Sequence, residues 1–232
     1  FIIDQKFCKK NKIKVLSNGS SNGIDLNFFD PLKIKAKERD QLMLSLGIKN
    51  NEFIFLYVGR LVRDKGINEL VYAFKKILFN NKKFKLLLVG NFEEDLDPLK
   101  KEVIDEINLN PNIVYGGYQN DIRPYLAISN CFVFPSYREG FPNVVLQAGA
   151  MNIPCIVSNI NGCNEIIKDR INGILIAKKN IQELIEAMLR ISSNHNLRNK
   201  LSKNSRQIIL KNFDQKSIWQ SLRNEYNMLS NV

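Results

Sequence analysis

The sequence has few of the residues on which metal and redox sites depend. Its 232 residues contain one histidine, His195, and four cysteines, Cys8, Cys131, Cys155 and Cys163. The cysteines lack the paired spacing of a zinc site, and no Asp/His pair or Asp-x-Asp cluster suggests another metal site. His195 lies in a Ser-Ser-Asn-His-Asn stretch that predicts a loop, so we expect no catalytic role for it. The composition therefore favours chemistry without a bound metal.

Long apolar runs are also missing. No stretch approaches the ~20 apolar residues that a membrane-spanning helix needs. The chain begins with Phe1, and no signal-peptide pattern follows it. We expect a fragment of a longer cytoplasmic protein, and the apolar surroundings of Cys131 and Cys155 fit packed thiols in a reducing compartment.

A concentrated basic segment is absent as well, although the net charge is +11. The Lys and Arg residues are dispersed and no nucleic-acid-binding motif appears, so we expect no nucleic-acid partner. The charge leaves peripheral contact with the inner face of an anionic membrane open. Neither a Walker loop nor Gly-x-Gly-x-x-Gly occurs, which argues against a P-loop ATPase and an ordinary dinucleotide dehydrogenase.

Short apolar runs alternate with helical stretches along the whole chain. This alternation predicts an α/β fold, a Rossmann-like parallel sheet of about six strands with helices on both faces. The strand candidates are Ile13–Leu16, Phe53–Val58, Phe84–Val89, Ile113–Tyr115, Cys131–Phe134, Cys155–Val157 and Gly173–Ile176. The helix candidates are 36–46, 67–79, a helix within 93–109 after Pro98, 121–129, 144–151, 181–191, 197–210 and 215–229.

The stretch from Pro135 to Met151 organises the chain. It follows the strand candidate Cys131–Phe134 and predicts a polar loop and then a helix, with Asn143 as the helix N-cap. In an open α/β sheet, ligands bind outside the carboxyl ends of the strands. Glu139 would lie there beside the positive end of the helix dipole, which favours an anionic ligand.

The sequence Glu139-Gly140-Phe141-Pro142, followed by a helix, resembles the signature of the family-4 (group 1) retaining glycosyltransferases. That family has the GT-B architecture of two Rossmann-like domains, and the resemblance implies that this chain is the C-terminal, donor-binding half. In the family, two Glu residues separated by seven positions bind the donor sugar and the nucleotide ribose. Here Glu139 keeps the first position and Gln147 replaces the second Glu, which removes a charge but keeps hydrogen-bonding capacity.

A second stretch, Gly59-Arg60-Leu61 to Lys65-Gly66, resembles the family loop that supplies an Arg and a Lys to the donor diphosphate. The resemblance therefore gives Arg60, Lys65 and Glu139 catalytic roles, with the backbone amides of residues 142–144 binding phosphate oxygens. Tyr118 becomes a candidate for contact with the base, with a packed aromatic as the alternative, and Gly19 a candidate for close approach to the phosphates. The donor-binding residues implied are Gly19, Tyr118, Gly140, Phe141, Pro142, Asn143, Val144 and Gln147.

The resemblance covers nearly the whole chain from Ile13 onward and implies its organisation. Residues 1–25 would form the interdomain linker, 26–212 the nucleotide-sugar-binding domain, and 213–232 a helix that crosses toward an absent N-terminal domain. On that last helix, Trp219 and Tyr226 are seven residues apart and predict a packing face. Glu165 is expected to hold the preceding glycine turn rather than to act on a ligand.

The function implied is sugar transfer from a nucleotide-diphosphate sugar, with UDP favoured, to a saccharide or lipid-linked acceptor in surface-polysaccharide assembly, without a metal cofactor. The acceptor would bind through the absent N-terminal domain, so this chain alone is expected to bind donor but not to transfer sugar. Three alternatives stay open: a nucleotide-sugar epimerase of the same architecture, a non-catalytic nucleotide- or carbohydrate-binding module, and a basic membrane-surface adaptor. Gln147 in place of Glu supports the non-catalytic module.

Overall fold

The computed structural model describes residues 2–79, 83–93, 95 and 97–230. Within these residues, six parallel strands form one sheet in the order β3-β2-β1-β4-β5-β6. The strands are β1 Phe53–Val58, β2 Phe84–Val89, β3 Ile113–Gly117, β4 Cys131–Phe134, β5 Cys155–Ser158 and β6 Gly173–Ile176. The α-helices are α1 Ala36–Ser45, α2 Ile67–Leu78, α3 Lys101–Leu109, α4 Arg123–Ile128, α5 Asn143–Ala150, α6 Cys163–Ile166, α7 Ile181–Ser193, α8 His195–Phe213 and α9 Gln215–Ser230.

The central strands are almost entirely apolar, with Lys85 in β2 and Ser158 in β5 as exceptions, because both faces of the sheet are covered by helices. Every residue of β2, β4 and β5 is buried, and so are the four inner residues of β1. Cys131 and Cys155 face this core, and burial raises the pKa of both thiols. The predicted α/β sheet of about six strands is therefore confirmed, and these two thiols are packed as expected.

The strand order reverses between β1 and β4. The chain builds β2 and β3 on one side of β1 and then returns to place β4, β5 and β6 on the other. The connections from β1 to β2 and from β4 to β5 therefore run in opposite directions, and a crevice opens at this point of the carboxyl edge of the sheet. The two motif-bearing loops predicted from the sequence lie at this reversal.

Two local predictions are wrong, and one short helix was missed. Ile13–Leu16 is not a strand, because it lies outside the sheet with no neighbouring strand and with the Val15 side chain 72% exposed. His195 is not in a loop but is the first residue of α8, where Asn194 caps the helix by accepting a hydrogen bond from the Leu197 amide. The short helix α6 was not predicted.

The far ends of the chain differ from the prediction in packing. Trp219 and Tyr226 do lie on α9, but their side chains are 52% and 70% exposed, so they form no packing face within the described chain. Residue 1 of the predicted linker, residues 94 and 96 of the predicted 93–109 stretch and residues 231–232 of the predicted terminal helix lie outside the described residues. In the part of the chain that is described, no helix combines the length and apolarity needed to cross a membrane.

Candidate functional site

The loops that follow β1 and β4 are fitted directly against each other. Gly66 has a φ of +73°, and a Cβ atom there would lie 2.2 Å from the carbonyl oxygen of Pro135. The Tyr137 amide donates to the Asp64 carbonyl at 2.8 Å. Only glycine meets both the left-handed conformation and the close backbone approach. Gly66 therefore fixes the relative position of the two motif loops.

This fit brings Lys65 and Glu139 together. Lys65 Nζ lies 2.6 Å from Glu139 Oε1, and the two side chains are only 15% and 13% exposed. Ser136, which is fully buried, has its Oγ atom 2.6 Å from the same carboxylate oxygen. The sequence predicted the charged residues separately but neither their ion pair nor the hydroxyl. The Ser-x-x-Glu spacing after a buried strand is the one local signal that could have indicated Ser136.

Arg60 lies at the mouth of the β1 loop and is half-exposed. Its Nη1 atom is 2.6 Å from Glu93 Oε2, and the hydrogen bond to Glu93 is the largest cause that raises the pKa of the guanidinium. The Arg60 carbonyl accepts a hydrogen bond from the Tyr57 hydroxyl at 2.8 Å. Tyr57 is fully buried and stacks on Phe134 across β1 and β4. The backbone that carries Arg60 is therefore anchored to the sheet, while its guanidinium can change partner.

The pKa of Tyr57 is affected by burial and by the charge of Glu139. Burial, and after it the nearby Glu139 carboxylate, raises the pKa of this phenol well above its ordinary value. The hydroxyl therefore stays protonated and acts as a fixed donor to the Arg60 backbone.

The amino terminus of α5 is open to a ligand. The helix begins at Asn143, and no side chain caps it. The prediction of Asn143 as N-cap is wrong: the N-cap position is held by Pro142, whose extended backbone leads into the helix. The predicted amide set 142–144 also needs correction, because Pro142 has no N–H and the donors are those of Asn143 and Val144. These amides and the helix dipole make an anion site.

A cavity of about 500 Å³ joins these elements. It is lined by the side chains of Arg60, Lys65 and Glu139 and by the start of α5. Eight of the eleven predicted site residues line it: Arg60, Lys65, Glu139, Phe141, Pro142, Asn143, Val144 and Gln147. The reversal of the sheet thus gathers cations, a carboxylate, an amide side chain and free backbone donors in one crevice.

The opposite wall was missed by the sequence analysis. It is formed by Phe28 and Phe29, before α1, and by residues 120–122, before α4. The guanidinium of Arg123 lies 3.6 Å from the centre of the Phe28 ring, and its Nη2 atom is 2.6 Å from Asp121 Oδ2. The hydrogen bond from Arg123 is the largest cause that lowers the pKa of Asp121. No local pattern could have indicated this wall, because its parts are far apart in the sequence.

Gly19, Tyr118 and Gly140 do not line the cavity. Tyr118 is 65% exposed, so the alternative of a packed aromatic is wrong. Gly140 lies against the turn before α6, where a Cβ atom on Gly162 would be 2.3 Å from the Gly140 carbonyl oxygen. Glu165 Oε1 accepts from the Gly162 amide at 3.2 Å, which confirms its structural role. A Cβ atom on Gly19 would lie 3.5 Å from the other oxygen of Glu165.

Two carboxylates line the cavity, and both are ion-paired: Glu139 with Lys65 and Asp121 with Arg123. Among the described residues, no three His, Cys, Asp or Glu side chains come close enough together to hold a metal ion. Binding of the donor without a metal stays a prediction.

The sequence is similar to those of known glycosyltransferases. The sequence model of a family described as glycosyl transferases group 1 matches residues 38–208. The chain is 33% identical over 231 residues to the capsular polysaccharide biosynthesis glycosyltransferase CapM of Staphylococcus aureus, covering 97% of this chain and 58% of CapM. It is 35% identical over 219 residues to the UDP-Gal:alpha-D-GlcNAc-diphosphoundecaprenol alpha-1,3-galactosyltransferase of Escherichia coli, covering 91% of this chain and 54% of that enzyme.

A solved structure shares the fold. The crystal structure of Anabaena Alr3699/HepE in complex with UDP superimposes with a TM-score of 0.83 at 21% identity. The match covers 99% of this chain and 60% of HepE. The chain spans little more than half the length of the two curated relatives described above.

Proposed function

The chain belongs to the group 1 glycosyltransferases, and from this premise we propose that it is the donor-binding domain of a retaining enzyme. The enzyme would move a hexosyl or N-acetylhexosaminyl group from a UDP-linked sugar to a saccharide or lipid-linked acceptor. The observation that carries the proposal is the crevice between β1 and β4, where Arg60, Lys65 and the uncapped start of α5 surround one cavity.

The diphosphate of the donor fits the basic side of this cavity. Arg60 and Lys65 supply positive charge, and the amides of Asn143 and Val144 supply donors at the positive end of a helix dipole. When the bond between sugar and diphosphate breaks, negative charge grows on the leaving phosphate. Cations and amides that contact the leaving phosphate would stabilise that charge most in the transition state, which would accelerate the reaction.

The sugar and ribose are assigned to Glu139 and Gln147, the two cavity residues at the paired positions of the family pattern. Glu139 presents a carboxylate to sugar hydroxyls, and Gln147, one α5 turn beyond Asn143, offers an acceptor and a donor to ribose hydroxyls. Gln147 replaces a carboxylate of the family pattern, so we propose that ribose binding here depends on hydrogen bonds between neutral groups.

The choice of UDP and of acceptor class rests on relatives. The Escherichia coli relative is named for a UDP-Gal donor and a lipid-diphosphate acceptor, and CapM is named for capsular polysaccharide biosynthesis. The HepE structure contains UDP. We carry over the UDP-linked donor and a saccharide or lipid-linked acceptor, with the enzyme in the cytoplasm at the inner face of the membrane. No metal takes part in this proposal.

Transfer itself is proposed to need more than this chain. The relatives extend well beyond the matched region, and the acceptor would be held by a second, N-terminal domain. Residues 1–25 would lead from that domain, residues 26–212 would bind the donor, and α9, within residues 213–232, would return toward it. The exposed Trp219 and Tyr226 support this role for α9. We expect this chain alone to bind UDP without transferring sugar.

Calorimetric titration with UDP, GDP and ADP tests the donor site. We expect UDP to bind most tightly and a paired Arg60→Ala/Lys65→Ala variant to lose at least about 100-fold in affinity, since two charge-assisted contacts disappear. A paired Arg190→Ala/Lys200→Ala variant removes the same charges from exposed positions on α7 and α8 and should bind like the unmodified chain. Equal loss in both variants, or tighter binding of GDP or ADP, would refute the assignment.

A further inference from the structure

Ser136 is placed to control the orientation of Glu139. It follows Pro135 at the end of β4, and its side chain is fully buried. Its hydroxyl has three acceptors in range: Glu139 Oε1 at 2.6 Å, the Arg138 carbonyl at 3.2 Å and the Asp64 carbonyl at 3.5 Å. A hydroxyl has one proton to donate, and the nearest and only charged acceptor forms the strongest hydrogen bond. The proton therefore points to Glu139.

The two donors of this site converge on one oxygen of the carboxylate. Both Ser136 Oγ and Lys65 Nζ lie 2.6 Å from Oε1 of Glu139. No described residue donates to Oε2, and Glu139 lines the cavity. The carboxylate is therefore held at one oxygen, which leaves the other available to accept a hydrogen bond from a ligand.

We propose that Ser136 is a positioning residue that locks the Glu139 carboxylate with Oε2 directed to the donor sugar. The inference rests on the proposed function, in which Glu139 binds sugar hydroxyls. Lys65 alone does not achieve this, because a flexible ammonium can pair with either oxygen and, in the proposed function, would turn toward the diphosphate. The hydroxyl is short and buried, and it keeps the same oxygen engaged whether or not Lys65 changes partner.

A purely structural role makes a different prediction. Ser136 also approaches the backbone of Asp64 and Arg138, so it could simply shape the loop. A misshapen loop would displace the adjoining start of α5 and weaken binding of UDP as much as binding of a UDP-sugar. Loss of orientation at Glu139 would weaken the contribution of the sugar alone. The difference between the two ligands therefore separates the roles.

Ser158 provides a matched control. It is the last residue of the neighbouring strand β5 and is also fully buried, but its hydroxyl has no hydrogen-bond partner among the described residues. Ser158→Ala removes the same atom from the same depth without removing a contact to the site.

The first experiment titrates the chain and its Ser136→Ala, Ser158→Ala and Glu139→Gln variants with UDP, UDP-glucose and UDP-galactose. For the UDP-sugar that binds the unmodified chain most tightly, we expect Ser136→Ala to lose about tenfold in affinity, the effect of one hydrogen bond to a charged group. Its affinity for UDP should stay within about twofold of that of the unmodified chain. Glu139→Gln should likewise weaken binding of the UDP-sugar but not of UDP, and Ser158→Ala should change the affinity for neither ligand. Equal losses for UDP and UDP-sugar in Ser136→Ala would overturn the proposal.

The second experiment needs no ligand. Urea unfolding of Ser136→Ala, Glu139→Gln and the double variant forms a double-mutant cycle. We expect the double variant to unfold at a higher urea concentration than the sum of the single shifts predicts, because Ser136→Ala removes the hydrogen bond and Glu139→Gln already weakens it by removing the charge of its acceptor. Additive shifts would overturn the positioning role. An unmodified chain that binds none of the ligands would refute the proposed function instead, and this cycle would still decide whether Ser136 holds Glu139.

Discussion

Lys65 and Glu139 are 74 residues apart in the sequence, yet Lys65 Nζ lies 2.6 Å from Glu139 Oε1 at the reversal of the sheet. The two residues come from the loops after β1 and β4, and both side chains are largely removed from water. The pair thus joins the two motif loops at the cavity, so a change at either residue should affect both the stability of the chain and its binding of a ligand.

Breaking this pair on one side should destabilise the chain. Lys65→Met leaves a largely buried carboxylate without its cation, and we expect a loss of about 2–4 kcal/mol in the free energy of unfolding. Adding Glu139→Gln removes the uncompensated charge and should restore part of that loss. Urea unfolding of the two single variants and the double variant measures the coupling. Shifts that simply add would show that the ion pair contributes nothing.

Gly66→Ala should be among the most damaging single changes. The new Cβ atom would lie 2.2 Å from the Pro135 carbonyl oxygen, and the backbone is left-handed at +73°. We expect a loss of at least about 3 kcal/mol, because the β1 and β4 loops must separate. Gly47→Ala is the control: its φ is +65°, but a Cβ atom there meets nothing within 4 Å. It should cost only about 1 kcal/mol in urea unfolding, and similar losses at both positions would contradict the steric argument.

The sequence was sufficient for the fold and for most of one wall of the cavity. Apolar runs identified all six strands, because a strand covered on both faces must be apolar at nearly every position. Arg60, Lys65 and Glu139 were identified because the loops that carry them, after β1 and β4, resemble motifs of the family. What the sequence could not provide is the distance between loops, so the pair of Lys65 and Glu139 became visible only in the fold.

The failures have the same physical origin. Phe28 reaches the cavity through its contact with Arg123, almost a hundred residues away, and no periodicity records such a contact. Ile13–Leu16 has the composition of a strand but no neighbour with which to form hydrogen bonds. The sequence pattern therefore predicted which segments could form helices or strands. Tertiary contacts decided which segments did so and which side chains line the cavity.

The amide of Asn143 should contribute to phosphate binding independently of its side chain. Asn143→Pro removes the N–H at the first helical position, where proline is tolerated, whereas Asn143→Ala keeps it. We expect the proline variant to lose about tenfold in UDP affinity with little change in urea unfolding, and the alanine variant to bind like the unmodified chain. Calorimetry with both variants makes the comparison. Equal affinities in the two variants would remove the helix terminus from the site.

Glu93 should compete with the ligand for Arg60. In the free chain, Arg60 Nη1 lies 2.6 Å from Glu93 Oε2, and a diphosphate must draw the guanidinium away from that carboxylate. Because the pair is well exposed, it contributes at most about 1 kcal/mol, and Glu93→Gln should raise UDP affinity by up to about fivefold. The gain should shrink as salt screens the carboxylate. Titrations at low and high salt measure it, with Glu106→Gln, which frees Lys75 outside the cavity, as the control. A loss of affinity in Glu93→Gln would mean that Glu93 holds Arg60 in its binding position, and the pair would then be part of the site and not a competitor for it.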